Sequence, residues 1–231
     1  MLSLLFSSPL RTLYAFGCTI VLCVIFQLCF LLRAKKREGQ KLSVRHFVRV
    51  FILLFYLAMV YKVTGMGTVW IIGRYPELIR MSEIYWIPFL PFEDWSSYLL
   101  NVVMTIPLGI LLPLIWSEFR SLKKITLTGF LFSLAIELSQ LLNRRATATE
   151  DLIMNTLGIV VGYLIFRIFY KIFSKKEKLK SESHNSVRDK RKVSSPIVKH
   201  EAIWYLVLSF LGMFLFYGSI SLSSENHEIE V

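Results

Sequence analysis

Residues 125–143 read ITLTGFLFSLAIELSQLLN. As a helix this run rises about 28 Å at 1.5 Å per residue, enough to cross the hydrocarbon of a bilayer. Its one charge is Glu137. An unpaired carboxylate near mid-bilayer costs at least ~2.5–3.5 kcal/mol on insertion scales. The stretch therefore predicts a membrane-spanning helix that turns a polar face toward other helices rather than toward lipid.

Five further apolar runs share this character. The spans are expected at roughly 12–32, 47–63, 98–116, 125–143, 152–172 and 202–220. The chain of 231 residues is 55% hydrophobic, with mean hydropathy +0.55, well above an ordinary soluble domain. The expected fold class is an all-α membrane protein, a polytopic bundle of about six transmembrane helices. Cys18, Cys23 and Cys29 all fall in the first run, at spacings that match no metal or redox motif. The opening MLSLLFSSPLR has no basic segment before its apolar part, so the first span is expected to be retained.

Charge between the spans sets the expected orientation. Segment 33–45 carries six Lys/Arg and one Glu, segment 117–124 three and one, and segment 171–200 ten basic and three acidic residues. The alternate connections are different. Segment 64–97 has two Arg against four acids, hairpin 143–151 has two of each sign, and tail 221–231 has three Glu and no Lys or Arg. Every loop agrees on both termini outside and three basic loops in the cytoplasm. The net charge of +11 is then a topology signal and an attraction to anionic lipid, with no nucleic-acid partner expected.

The same reading divides the chain. Residues 1–174 form a five-helix membrane unit. Residues 175–200, opening KKEKLKSESHNSVRDKRK, form a basic, disordered cytoplasmic linker. Residues 201–231 form a lone final helix with an acidic outer tail. The aromatic-rich segment 64–97 is expected to lie at headgroup level, with short strands near 68–72 and 84–87.

Helical spacing then groups the polar residues. Ser133, Glu137, Gln140 and Arg144 share one face of the fourth span. Asp151, Asn155, Gly158 and Gly162 share one face of the fifth, and Asn101 and Thr105 one face of the third. Three consecutive spans thereby bring polar stripes to the outer half of the membrane. They predict an outward-opening pocket lined by Asn101, Glu137, Gln140, Asp151 and Asn155, with Arg144 or Arg145 at its rim. Gly158 and Gly162 would let a neighbouring helix approach closely. Pro107 and Pro113 would free backbone carbonyls and kink the third span beside Gly109.

Three segments, NVVMTIPLGILLP (101–113), AIELSQLL (135–142) and RATATEDLIMNTLGIVVGY (145–163), together resemble the VanZ-like family. The family pattern has an Asn followed by Pro-x-Gly, then Glu-x-x-Gln, then an acidic pair before Asn-Thr-x-Gly. Here these are Asn101, Pro107 and Gly109, then Glu137 and Gln140, then Asp151, Asn155, Thr156 and Gly158, with Pro88 and Phe89 ahead of them. The likeness covers roughly residues 85–163, about a third of the chain. It departs where the first acid of the pair is Ala148 and where Tyr85 replaces a polar Asn.

The resemblance implies a bacterial cytoplasmic-membrane protein that contributes to resistance against teicoplanin-type lipoglycopeptides. Three functions compete. One is a non-catalytic protein whose pocket binds a lipid-tailed envelope molecule, such as the antibiotic or a lipid-linked cell-wall precursor, among the membrane lipids. The second is an embedded enzyme acting on a lipid headgroup or precursor, and the third a small transporter. The first is preferred. No nucleophile–base pair or metal-ligand cluster is evident, no cofactor or metal is expected, and His46, His184, His200 and His227 lie outside the pocket. The inner halves of the spans are mostly apolar, which leaves no evident polar path across the membrane.

Overall fold

The computed structural model describes residues 13–26, 28, 44–72, 84–85, 89, 95–142, 147–182 and 201–217. Helices occupy all six places that the hydropathy marks. They are α1 (Leu13–Phe26), α2 (Val44–Thr64), α3 (Trp95–Ile115), α4 (Leu122–Leu142), α5 (Thr149–Glu182) and α6 (Glu201–Phe216). Segments Arg45–Ile71, Trp95–Ile115, Leu122–Leu142 and Thr149–Ile172 are long and apolar enough to cross a membrane. The described parts of α1 and α6 are shorter apolar helices; the 16 residues of α6 rise about 24 Å. The protein is a helical membrane bundle.

Side-chain contacts fix which helix ends meet. At one end, Gln140 Nε2 near the close of α4 donates to the Thr64 carbonyl at the close of α2 (2.6 Å). Trp70 Nε1 donates to the Leu215 carbonyl near the close of α6 (2.6 Å). At the other end, Glu201 at the start of α6 takes hydrogen bonds from Trp116 Nε1 (3.0 Å) and pairs with His46 Nε2 (2.9 Å). There too Tyr163 Oη donates to the Arg120 carbonyl (2.7 Å). Chain order thus alternates between the two ends. The basic segments 33–45, 117–124 and 171–200 all join helices at the His46–Trp116–Glu201 end.

The tightest pairing joins α3 to α5, which run parallel. A Cβ at Gly158 would come within 2.2 Å of the Val102 carbonyl oxygen, and one at Gly162 within 2.1 Å of the Ile106 carbonyl oxygen. Reciprocally, a Cβ at Gly109 would come within 2.1 Å of the Ile159 carbonyl oxygen. The small residues expected on the polar face of α5 therefore bring a neighbour close, and that neighbour is α3. Lipid tails are as apolar as leucine, so packing of this kind carries much of the helix association.

The final helix is not isolated. Its buried positions Ala202, Tyr205, Leu206, Ser209, Gly212 and Met213 recur at helical spacing, while Ile203, Trp204, Val207, Leu211 and Leu215 are exposed. The buried stripe meets α2, where Tyr61 Oη and Ser209 Oγ lie 3.1 Å apart. It also meets α1, where Gly212 faces Thr19. Of the three cysteines, Cys23 is buried and Cys18 is partly so; Cys29 lies outside the described residues.

Two local expectations are corrected. Residues Val69–Ile71 form a single 3₁₀ turn, not a strand. The Ile71 N–H reaches the Thr68 carbonyl and the Ile72 N–H the Val69 carbonyl, so local bonds satisfy backbone groups that a strand would need a neighbour to satisfy. Further on, Ile84–Tyr85 is a strand, and it pairs in parallel with Thr147–Ala148. That bridge ties the aromatic segment to the hairpin between α4 and α5. The linker expected from residue 175 also begins differently. The α5 helix continues through it to Glu182, because Lys, Glu and Leu are good helix formers on an already nucleated helix. Residues 183–200 lie outside the described ones.

Candidate functional site

A cavity of about 310 Å³ lies where α2 and α4 end and α3 and α5 begin. The third helix contributes Ser97, Leu100, Asn101 and Met104, the fourth Glu137 and Gln140, and the fifth Asp151 and Asn155. Asn101, Glu137, Gln140, Asp151 and Asn155, expected on three separate helices, line this one space. Arg144 and Arg145, expected at its rim, lie outside the described residues. The end of α2 adds Val63 and Thr64, which sequence reasoning missed. For Ser97 and Met104 the signal was available, since they share helical spacing with Asn101. For α2 there was none, because its contribution includes a backbone carbonyl.

Each polar side chain is held by a neighbouring helix. Asn101 Nδ2 donates to Asp151 Oδ1 (2.5 Å), joining α3 to α5. Asn155 Nδ2 donates to Ser133 Oγ (3.1 Å), joining α5 to α4. Thr105 Oγ1 donates to the carbonyls of both Asn101 and Asn155 (2.9 Å each). Gln140 covers the Thr64 carbonyl, one of the last four of α2 that no intrahelical N–H reaches. Beside it, Ser139 Oγ accepts from the Gly67 N–H (3.2 Å). A Cβ at Gly67 would lie 1.8 Å from the Ser139 carbonyl oxygen, so the chain leaving α2 lies directly on α4.

Glu137 is 4% exposed and Asn155 2%, while Asp151 is half-buried. Glu137 lies five residues before the end of α4, about 8 Å along the axis. The site is thus one to two turns below the helix ends. Glu150 is buried but is not among the residues lining the cavity. Adjacent helical positions diverge by about 100°, so Glu150 does not replace the acid that Ala148 lacks.

Helix α3 continues through Pro107 and Pro113, and neither is among the described residues lining the cavity. The nearby carbonyl that receives a side chain is that of Met104, from Tyr56 Oη (2.7 Å). The Pro113 carbonyl accepts from Arg120 Nε at the opposite end of the helix (3.3 Å). Phe89, in the Pro-Phe pair ahead of α3, has φ of 63°, an uncommon conformation for a bulky residue. Its ring meets Tyr98 edge-on at 5.4 Å. Among the described residues, no three His, Cys, Asp or Glu side chains gather in a way that could hold a metal ion.

These features define a polytopic helical membrane protein with a small polar cavity at one end of its bundle. A family model described as VanZ/LLP1 matches residues 18–170, well over half of the chain, and the chain belongs to that family. The match extends the resemblance seen at 85–163 back through α2 into α1. No curated protein and no solved structure matches the chain.

Proposed function

We propose that this protein contributes to resistance against teicoplanin-type lipoglycopeptides by binding a lipid-tailed envelope molecule in the polar cavity, without covalent chemistry. It would reside in a bacterial cytoplasmic membrane with the cavity facing outward. The observation that carries this reading is the convergence of Asn101, Glu137, Gln140, Asp151 and Asn155 on one space, at the end opposite the basic loops. The positive-inside rule assigns the basic loops to the cytoplasm, so the cavity opens toward the outer leaflet. Lipid-tailed antibiotics and wall precursors meet the membrane there. Hydrogen bonds to ionised groups in a partly desolvated site are among the stronger polar contacts. Arg144 and Arg145 are proposed to serve the same ligand from the rim, through its phosphate or carboxylate.

Susceptibility to teicoplanin and vancomycin tests the proposal in cells with and without the protein. Cells carrying the wild-type chain are expected to tolerate more teicoplanin. The Glu137→Gln form, at equal membrane abundance, is expected to fall back to the level of cells without the protein. Unchanged tolerance in the variant would remove Glu137 from the function and the cavity with it.

A further inference from the structure

A groove of about 310 Å³ runs between α4 and α6 on the lipid-facing side of the bundle. Thr128, Leu131 and Ala135 form one wall, and Ile203, Val207 and Leu211 the other. Each set recurs at helical spacing. Among the described lining residues, Thr128 alone carries a polar group. Phe132 and Phe210 also line the groove, and both meet the ring of Tyr61 on α2, at 5.8 and 6.0 Å. Helix α2 thus backs the groove. The rise from Ile203 to Leu211 makes it about 12 Å long. It shares no described lining residue with the polar cavity.

The two ends of the groove differ. At one, the chain leaving α2 crosses over it. The Gly67 N–H donates to Ser139 Oγ (3.2 Å), one turn beyond Ala135, and Trp70 Nε1 donates to the Leu215 carbonyl (2.6 Å), one turn beyond Leu211. The other end runs toward the first turn of α4, where Lys123 and Lys124 are exposed. Lys124 stands one turn before Thr128, on the face that Thr128, Leu131 and Ala135 share. Helical side chains lean toward the N-terminus, so the Lys124 ammonium lies beyond the groove, toward the end that the basic loops assign to the cytoplasm. Glu201, at the start of the opposite wall, is buried against Trp116 and His46.

The geometry points to a binding site for one anionic phospholipid of the cytoplasmic leaflet, with an acyl chain between α4 and α6 and the phosphate at Lys123 and Lys124. Size decides between an acyl chain and a helix. A volume of 310 Å³ over that length is a mean section of roughly 26 Å². An acyl chain, roughly 4–5 Å across, fits this section. A helix of a second copy, about 10–12 Å across with its side chains, does not. Depth agrees. Lys124 to Ala135 spans about 16 Å of helix, against about 15 Å for the hydrocarbon of one leaflet. A phosphate level with Lys124 therefore puts the end of its chain just short of the crossing at Gly67 and Trp70. That crossing blocks a chain of the opposite leaflet from entering along the groove. The charge of the headgroup complements the two lysines, whose stems reach the interface while their ammonium groups attract anionic lipid. Bound there, the lipid joins α6 to α4 where the protein itself leaves a gap.

Native mass spectrometry of the full purified chain tests this with phosphatidylglycerol and phosphatidylcholine of matched acyl chains. One phosphatidylglycerol is expected to stay on each chain, held about tenfold more tightly than phosphatidylcholine. Lys123→Gln together with Lys124→Gln is expected to bring the two lipids to parity. Arg167→Gln together with Lys171→Gln removes equal charge from exposed positions on α5 and is expected to leave the preference intact. Ala135→Phe, which fills the groove, is expected to weaken both lipids about tenfold. Equal binding of the two lipids by the wild-type chain would overturn the inference. So would loss of the preference in the α5 control, or undiminished binding by Ala135→Phe. A lipid-free dimer that Ala135→Phe splits would overturn it in favour of a second copy. If Ala135→Phe fails to fold, Val207→Trp on the exposed opposite wall takes its place, with the same loss expected and the same contrary result. Failure here leaves the polar cavity as proposed, because Lys123, Lys124 and Ala135 do not line it.

Discussion

Replacing Gly158 with alanine is expected to lower the melting temperature of the purified protein by roughly 10 °C, from a loss of about 3 kcal/mol. The added methyl would sit 2.2 Å from both the Val102 carbonyl oxygen and Thr105 Oγ1. The hydroxyl could rotate, but the carbonyl belongs to the backbone of α3 and cannot. The helices would have to separate. That loosens the contacts of Gly109 and Gly162 along the same seam and pulls Asp151 and Asn155 away from Asn101 and Thr105. Overpacking a well-fitted contact typically costs about 1–3 kcal/mol, and here several contacts are disturbed together. Gly17→Ala is the control, since nothing lies within 4 Å of its added methyl. Equal melting of the two variants would show that the α3–α5 seam does not hold the bundle.

Removing Glu201 is expected to release the final helix from the bundle at its first turn. Its carboxylate is 3% exposed, accepts from Trp116 Nε1 and pairs with His46. Glu201→Ala leaves the indole N–H of a tryptophan that is 2% exposed without its acceptor. Stranding a buried donor costs about 1–3 kcal/mol, more where a charge is involved. Glu201→Gln keeps one acceptor and is expected to lose less. Proteolysis near residue 200 in detergent reads the effect directly, with Glu201→Ala cleaved several-fold faster than wild type. Cleavage at the wild-type rate would show that the docking of α6 depends on its apolar stripe alone.

The two predictions also mark where sequence reading succeeded and where it failed. The polar face of α4 was legible because hydropathy and a 3.6-residue period act on neighbouring residues. The same holds for Asp151–Gly162 on α5 and Asn101 on α3. Once each stripe had to avoid lipid, their convergence followed from physical cost alone. The docking of α6 was not legible. It depends on His46 meeting Glu201 across 155 positions of sequence, and a highly charged linker between them reads as separation. The 3₁₀ turn at Val69–Ile71 was missed for a similar reason. Aromatic and β-branched composition favours strand, but whether a partner strand lies alongside is a tertiary fact. Ile84–Tyr85 has such a partner, and the 3₁₀ turn instead satisfies its backbone locally.

The central claim is that a polar cavity between these helices opens outward. Cysteine labelling in intact cells measures it most directly, in a background where Cys18, Cys23 and Cys29 are replaced. Ser97→Cys and Met104→Cys, both on the cavity wall, are predicted to react with a membrane-impermeant maleimide added outside. Lys123→Cys, exposed in the first turn of α4 at the other end, is predicted to react only after the membrane is permeabilised. Labelling of Lys123→Cys in intact cells, with Met104→Cys reached only from the cytoplasm, would contradict the account.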